Sequence, residues 1–330
     1  MDGLLEVLTL RGGHNTNVVL IGATLLGVAA GVVGTFAMLR RRSLVADALS
    51  HAALPGVAGA FLIASAVGYT GPRLPMLLCG ALASGLLAAA AIEALSRGQG
   101  TQRRGRLASD TATATVLASS FGLGTVLLGL AQRTGGGGQA GLAGFIFGRT
   151  AGMLARDAYV MAGLATLALA AALVLGRGLA AVAFNERFAR TAGLPVRALD
   201  SALAALIAMV TLAGMQAVGM LLVVALIVAP PATARLWVTN VRSLAALAGA
   251  LGGASGLVGS ALSATLPDAP TGAVIVLVAS ALFLLSLALS PSRGVLAVAR
   301  RRRALAHVAQ RGGALPPAAQ GGPQASEGTP

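Results

Sequence analysis

The chain is 330 residues long, 56% hydrophobic and only 10% charged, with a formal net charge of +14. A soluble domain carries about 25% charged residues, so this composition excludes one and describes a polytopic membrane protein built from apolar runs of about 20 residues. With 3% aromatic residues and no basic stripe interleaved with aromatics, the positive charge does not read as a nucleic-acid surface.

All 24 basic residues are arginine, which excludes a phosphate loop that depends on lysine. The single cysteine, Cys79, lies in an apolar run, so the fold owes nothing to an intrachain disulfide. Residues 1–16 form an N-terminal flank whose apolar run lacks a basic front and a small-residue cleavage site. They read as a surface-lying segment rather than a signal peptide.

The apolar segments follow in order at 17–39, 46–68, 74–96, 108–130, 157–176, 199–237, 244–266 and 272–290. The run 199–237 is nearly twice the hydrocarbon thickness at about 1.5 Å per residue. It splits near Gln216–Gly219 into one span and a shorter return. The expected fold is therefore an all-α bundle of eight or nine transmembrane helices over residues 17–290. "GALGGASGLVGSAL" (249–262) is rich in small residues, which let membrane helices pack closely. "TGGGGQAG" (134–141) lacks the Gly-Lys-Ser/Thr ending of a phosphate loop and reads as an outer loop. Residues 291–330 read as a basic, disordered tail.

Arginine placement orients the bundle. With the N-terminus outside, one set of alternate loops and ends collects Arg40–Arg42, Arg97, Arg103, Arg104, Arg106, Arg177, Arg187, Arg190, Arg197, Arg235, Arg242, Arg293, Arg300–Arg303 and Arg311. Arg11, Arg73, Arg133, Arg149 and Arg156 fall on the other side. This bias places the C-terminus in the cytoplasm of a multi-pass cell-membrane protein.

The chemistry-bearing stretch is "SLVADALSHAALPG" (43–56). Residues four apart share a helix face, so Ser43, Asp47 and His51 form one polar stripe with Ser50 beside it. A carboxylate oxygen and an imidazole nitrogen suit zinc, manganese or iron(II). One helix supplies half a site; a second copy of the chain would bring two carboxylates and two imidazoles around one ion, a set that fits tetrahedral Zn²⁺. Pro55 has no N–H to offer the His51 carbonyl. The plainer alternative is an interfacial ion pair of Asp47 with Arg42, five residues away, and a histidine hydrogen-bonded inside the bundle. Other charges read as structural: Glu93 paired with Arg97, Asp200 with Arg197, Asp157 with Arg156, and Asp110 capping a helix with Ser109. His14 and His307 read as solvated.

"AVAFNERFARTAGLP" (181–195) is the second informative stretch. Phe184 and Phe188 are four apart, Arg187 and Arg190 add charge, and Pro195 stops the helix. A short amphipathic helix here could lie on the membrane or dock in a partner's groove.

Taken together, the chain resembles the membrane subunits of zinc/manganese/iron ABC importers. "LRRRSLVADALSHAALPGVAGAFLI" (39–63) is similar to that family's signature around its second span, and "SDTATATVLASSFGLGTVLL" (109–128) to its next block. "ERFARTAGLPV", "GMQAVGMLLVVALIVAPPATARL" (214–236) and "LPDAPTGAVIVL" (266–277) resemble its C-terminal half. One departure is the Thr and Ala of "DTATATVL", where an Ile-Gly pair is expected. The resemblance implies a permease dimer of identical or sibling chains, an ATPase dimer beneath it and an extracytoplasmic metal-binding protein. It implies that Asp47 and His51 carry the transported ion. It also implies a cytoplasmic coupling loop at about 183–196, with Phe184, Glu186, Arg187, Phe188, Ala189, Arg190 and Gly193 contacting the ATPase. Such a chain is no enzyme, holds no permanent cofactor, and moves zinc, manganese or iron by alternating access in a lipid membrane. Ligation needs neutral imidazole and ionised carboxylate, so transport is expected to weaken as pH falls through histidine's titration range. The alternatives are a permease for siderophore- or cobalamin-type metal chelates and an ATPase-independent carrier or channel.

Overall fold

The computed structural model describes residues 14–68, 73–96, 109–133, 155–217, 220–266 and 269–290. Most of the N-terminal flank, Arg97, the 134–141 loop and the tail from 291 lie outside them, as do the side chains of His14, Ser43, Ser109, Arg156 and Asp157. Ten helices follow in chain order. They are α1 His14–Leu39, α2 Ser43–Ala66, α3 Arg73–Ser96, α4 Ser109–Arg133, α5 Ala155–Phe184, α6 Glu186–Thr191, α7 Val196–Ala217, α8 Met220–Arg235, α9 Val241–Thr265 and α10 Thr271–Leu289. No strand occurs among the described residues. In lipid no water satisfies the backbone, so helices that close their own hydrogen bonds are the natural solution for these apolar runs.

Eight of these helices are long and apolar enough to cross a membrane, all but α6 and α8. The expected split of 199–237 falls between Ala217 and Met220. The return, α8, has 16 residues, a rise of about 24 Å that is short of the ~30 Å hydrocarbon layer. Gly214 of α7 abuts Val223 of α8 and lies close to Leu26, midway along α1. The facing ends of α7 and α8 therefore meet beside the middle of α1, and the ninth apolar helix is a partial return.

The fifth span is longer than its apolar core implied: α5 runs on to Phe184 rather than stopping near 176. Arg177 interrupts the hydropathy but not the helix, because a long arginine stem can carry its charge toward the interface.

Neighbour pairs set the direction of each helix. Gly27 faces Gly252, Gly31 faces Ala248 and Gly256 faces Ala23, so α1 and α9 are antiparallel along a ladder of small residues. A Cβ on Gly27 or Gly31 would collide with a backbone carbonyl of α9. The contact is backbone against backbone, the packing expected of small-residue stripes. Gly56 and Gly80 seal α2 to α3 in the same way, also antiparallel. Gly124 of α4 presses on Leu54 and Pro55 of α2, and Phe121 lies beside His51, so α2 and α4 run parallel. The chain thus alternates direction, and the C-terminal end of α1, the loop after α5 and the start of α9 share one end of the bundle. The main core joins Leu26, Val33 and Phe36 of α1 to Met161 and Leu179 of α5 and Leu203 and Ile207 of α7. Leu87, Val174 and Leu277 instead point outward, as lipid-facing side chains do.

Gly31→Ala, which must displace the Ala248 carbonyl, is expected to destabilise the chain by about 1–3 kcal/mol. Gly59→Ala, with no heavy atom within 4 Å of its added carbon, is expected to be neutral or to gain up to about 1 kcal/mol of helix propensity. Melts of both variants in detergent check the contrast.

Candidate functional site

The stripe on α2 forms as its spacing requires, because α2 continues through Pro55 as one helix from Ser43 to Ala66. The Asp47 Oδ1 and His51 Nε2 atoms are 3.7 Å apart on one face, with the Asp47 side chain 36% and the His51 side chain 15% exposed. The imidazole meets the edge of Phe121 from α4 at a centroid distance of 5.2 Å and an interplanar angle of 88°. This fixes the ring without satisfying it: His51 Nδ1 is buried with no hydrogen-bond partner among the described residues. Such an orphan costs on the order of 1–3 kcal/mol, and a coordination bond is one way to recover it.

Ser50 does not join the pair, since its hydroxyl donates to the Ala46 carbonyl at 2.9 Å. No third His, Cys, Asp or Glu completes a cluster among the described residues. The described residues thus offer two candidate ligands on one helix and no third.

The plainer reading paired Asp47 with Arg42. Instead Arg42 Nη2 reaches Asp200 Oδ2 at 3.5 Å, and among the described residues Asp47 has its ion contact with His51 alone. Asp200 is likewise not held by Arg197. Both its oxygens accept from Arg40 Nη2 at 2.8 Å. The reason is direction: Asp200 points into the bundle, 13% exposed, while Arg197 is exposed on α7. Glu93 accepts from the Ser201 hydroxyl at 2.8 Å, and its expected partner Arg97 lies outside the described residues. Asp110 falls in the first turn of α4, not at its cap, where its charge still favours the helix N-terminus.

The second region is α6 and its surroundings. Asn185 has extended dihedrals and accepts the Phe188 N–H at 3.1 Å, capping α6. Phe184 therefore ends α5 while Phe188 lies in α6, and the two do not share one helical face as their spacing implied. They are nevertheless exposed together, at 76% and 64%. Arg187 and Arg190 are exposed beside them and Ala189 is buried against the bundle. Gly193, at φ +77°, closes the helix: its N–H donates to Arg190 and the Leu194 N–H to Ala189, the paired bonds of a left-handed helix end.

Arg40 ties this helix down, and sequence reasoning missed it. Its guanidinium, 14% exposed, bonds Asp200 of α7 and the Val182 carbonyl of α5 at 3.2 Å. It also contacts Glu186 of α6 at 3.5 Å. Sequence reasoning used the run Arg40–Arg42 for orientation and offered only Arg42 as an ion partner, for Asp47. Glu186 also takes a hydrogen bond from Arg190. Partial burial pushes its carboxyl up, but the Arg190 hydrogen bond and the charges of Arg40 and Arg190 outweigh this and hold it below the ordinary 4.5.

A profile described as the ABC 3 transport family matches residues 14–290. The chain is 39% identical over 300 residues to the manganese transport system membrane protein MntC of Bacillus subtilis. That alignment covers 90% of this chain and 66% of the relative, just under two thirds of its length. To the zinc transport system membrane protein TroC of Treponema pallidum it is 37% identical over 295 residues, covering 89% of this chain and 95% of that one. The solved structure of PsaBC from Streptococcus pneumoniae in complex with Fab matches with a TM-score of 0.71 and 30% identity. The match covers 88% of this chain and 97% of that one.

Asp200→Asn removes the negative charge shared by two arginines and one of its two accepting oxygens and is expected to cost on the order of 3 kcal/mol, whereas Arg197→Gln should change stability by less than about 0.5 kcal/mol. Melts of both in detergent check this. Because the folded Glu186 carboxyl is held low, its contribution is complete above the ordinary value and lost as pH falls through the folded one. The protection of the α6 amides, taken relative to their intrinsic exchange rates, should therefore stay constant from neutral pH to about 5 and fall below 4.5, while Glu186→Gln shows the lower protection already at neutral pH.

Proposed function

The chain belongs to the ABC 3 transport family, and from that membership we propose that it is the permease subunit of an ATP-driven importer of a divalent transition metal, with Asp47 and His51 as its transport ligands. It is a multi-pass protein of the cell membrane. The names of its relatives favour manganese or zinc as cargo; a carboxylate and an imidazole would also bind iron(II).

The observation that carries this reading is the isolated pair on α2. A carboxylate and a half-satisfied imidazole share one face, with every nearby arginine whose contacts are described turned elsewhere. A second permease chain, identical or sibling, would bring its own pair across a two-fold axis, and four such ligands suffice for one ion. The N-terminus then lies outside, where an extracytoplasmic binding protein delivers the metal, and the Arg-rich end faces the cytoplasm.

Energy comes from a separate ATPase dimer docked at α6. The exposed Phe184 and Phe188, with Arg187 and Arg190 around them, are the side chains an ATPase groove would grip. Glu186, Ala189 and Gly193 shape the helix and hold it to the bundle. Displacing α6 pulls on Glu186 and Val182, hence on Arg40, and through Asp200 on Arg42 at the start of α2. Asp47 lies five residues further along that helix. A push beneath the membrane is thus relayed to the ligands, which alternate between outer and inner exposure. Asp47→Ala or His51→Ala should lower metal uptake at least tenfold at unchanged membrane abundance, checked with labelled manganese and zinc in cells complemented by each variant. Normal uptake by both variants would make the pair structural.

A further inference from the structure

A cavity of about 710 Å³ opens between α1, α5 and α9, with no residue of the Asp47–His51 helix in its lining. Its walls are apolar, with Phe36, Leu173 and Phe184 prominent, and its polar groups are Arg177, Asn240 and Arg242. Both arginines are exposed, and neither takes part in an ion pair among the described residues, unlike Arg40, Arg42 and Arg190.

Depth identifies what surrounds this cavity. Helix α5 has 30 residues, a rise of about 45 Å against a ~30 Å hydrocarbon layer. Arg177 lies seven residues before its end, about 10 Å, from where a long arginine stem can carry its charge to the headgroup zone. Arg242 stands in the first turn of α9, at the same end of the bundle. Asn240 caps α9 by accepting the Arg242 N–H at 3.1 Å, leaving further first-turn N–H groups and the positive helix end at the cavity wall. The cavity therefore combines two guanidinium groups without an ion pair among the described residues, a helix N-terminus and an apolar slot, all at the arginine-rich end of the bundle.

We propose that this cavity is a binding site for an anionic phospholipid of the leaflet at the arginine-rich end. The phosphate lies between Arg177 and Arg242 at the α9 N-terminus, and an acyl chain runs along Phe36 and Leu173. Phe184, the last residue of α5, forms part of the same wall, so an occupied site also buttresses the base of α6. Charge selects the occupant: each arginine near an anionic surface is worth about a fivefold gain in binding, so two give a preference of about 25-fold over a zwitterionic lipid.

The test uses the full chain purified into mixed micelles with phosphatidylglycerol and phosphatidylcholine, read by native mass spectrometry. The native chain should retain phosphatidylglycerol with about 25-fold preference, and the double variant Arg177→Gln/Arg242→Gln should retain both lipids nearly equally. Equal retention by the native chain, or an unchanged preference in the variant, overturns the proposal. A photoreactive phosphatidylglycerol on the native chain gives a readout that needs no variant. Labelling within residues 172–184 and 240–246 supports the site, and labelling confined elsewhere refutes it. If the label enters the isolated permease but is excluded once the ATPase subunit is bound, the cavity is a protein-docking surface and the lipid assignment fails.

Discussion

The Arg40 guanidinium is the interaction on which the working end of the molecule depends. It is nearly buried, and a buried cation is tolerable only when paired and hydrogen-bonded. Here it meets both oxygens of Asp200, the Val182 carbonyl and Glu186. These partners sit on three different helices, so one side chain fixes the end of α5, the start of α6 and the start of α7 relative to α1. Charge-assisted, doubly bonded contacts of this kind are about twice as strong as neutral ones, and none of the apolar packing nearby is as directional. Arg42 extends the same knot to the start of α2. Between them Arg41 takes φ +55°, a left-handed conformation that costs a non-glycine residue on the order of 1–2 kcal/mol. That reversal lets positions 40 and 42 reach one carboxylate, and the surrounding bonds hold it in place.

The knot explains why the rest of the bundle is built from small residues. Once charges fix one end, the helices above it need close, unvarying contacts. The ladder of Ala23, Gly27 and Gly31 against Ala248, Gly252 and Gly256 supplies them without side chains that could rearrange. Where the chain must admit a polar pair, the packing changes character. Helix α4 approaches α2 through Gly124 against Leu54 and Pro55, and one turn away Phe121 takes up the imidazole edge-on.

Hydropathy made the spans legible because lipid demands one continuous property over about 20 residues. Length alone placed the break within 199–237. The ending of α5 was illegible for the converse reason: Arg177 resembles a boundary by composition, while its long stem lets the helix pass. Ion partners were the least legible feature. Sequence offers only neighbours, so Asp200 was matched to Arg197, three residues away, when its partner Arg40 stands 160 residues earlier in the chain. The i,i+4 rule likewise misjudged Phe184 and Phe188, since Asn185 caps a new helix between them. The same rule succeeded for Asp47 and His51, where no cap intervenes.

That success bears on what the pair is for. An ionisable side chain within a span costs about 2.5–3.5 kcal/mol near its centre, and a fold that keeps one for stability alone gives it a partner. This chain does so for Asp200, with Arg40 and Arg42. Asp47 stands close to the same arginine run, yet the run turns away from it, and its neighbour His51 keeps a buried nitrogen unmatched. Under the proposed function, the arginine partner is withheld from the position at which a transported cation would be received.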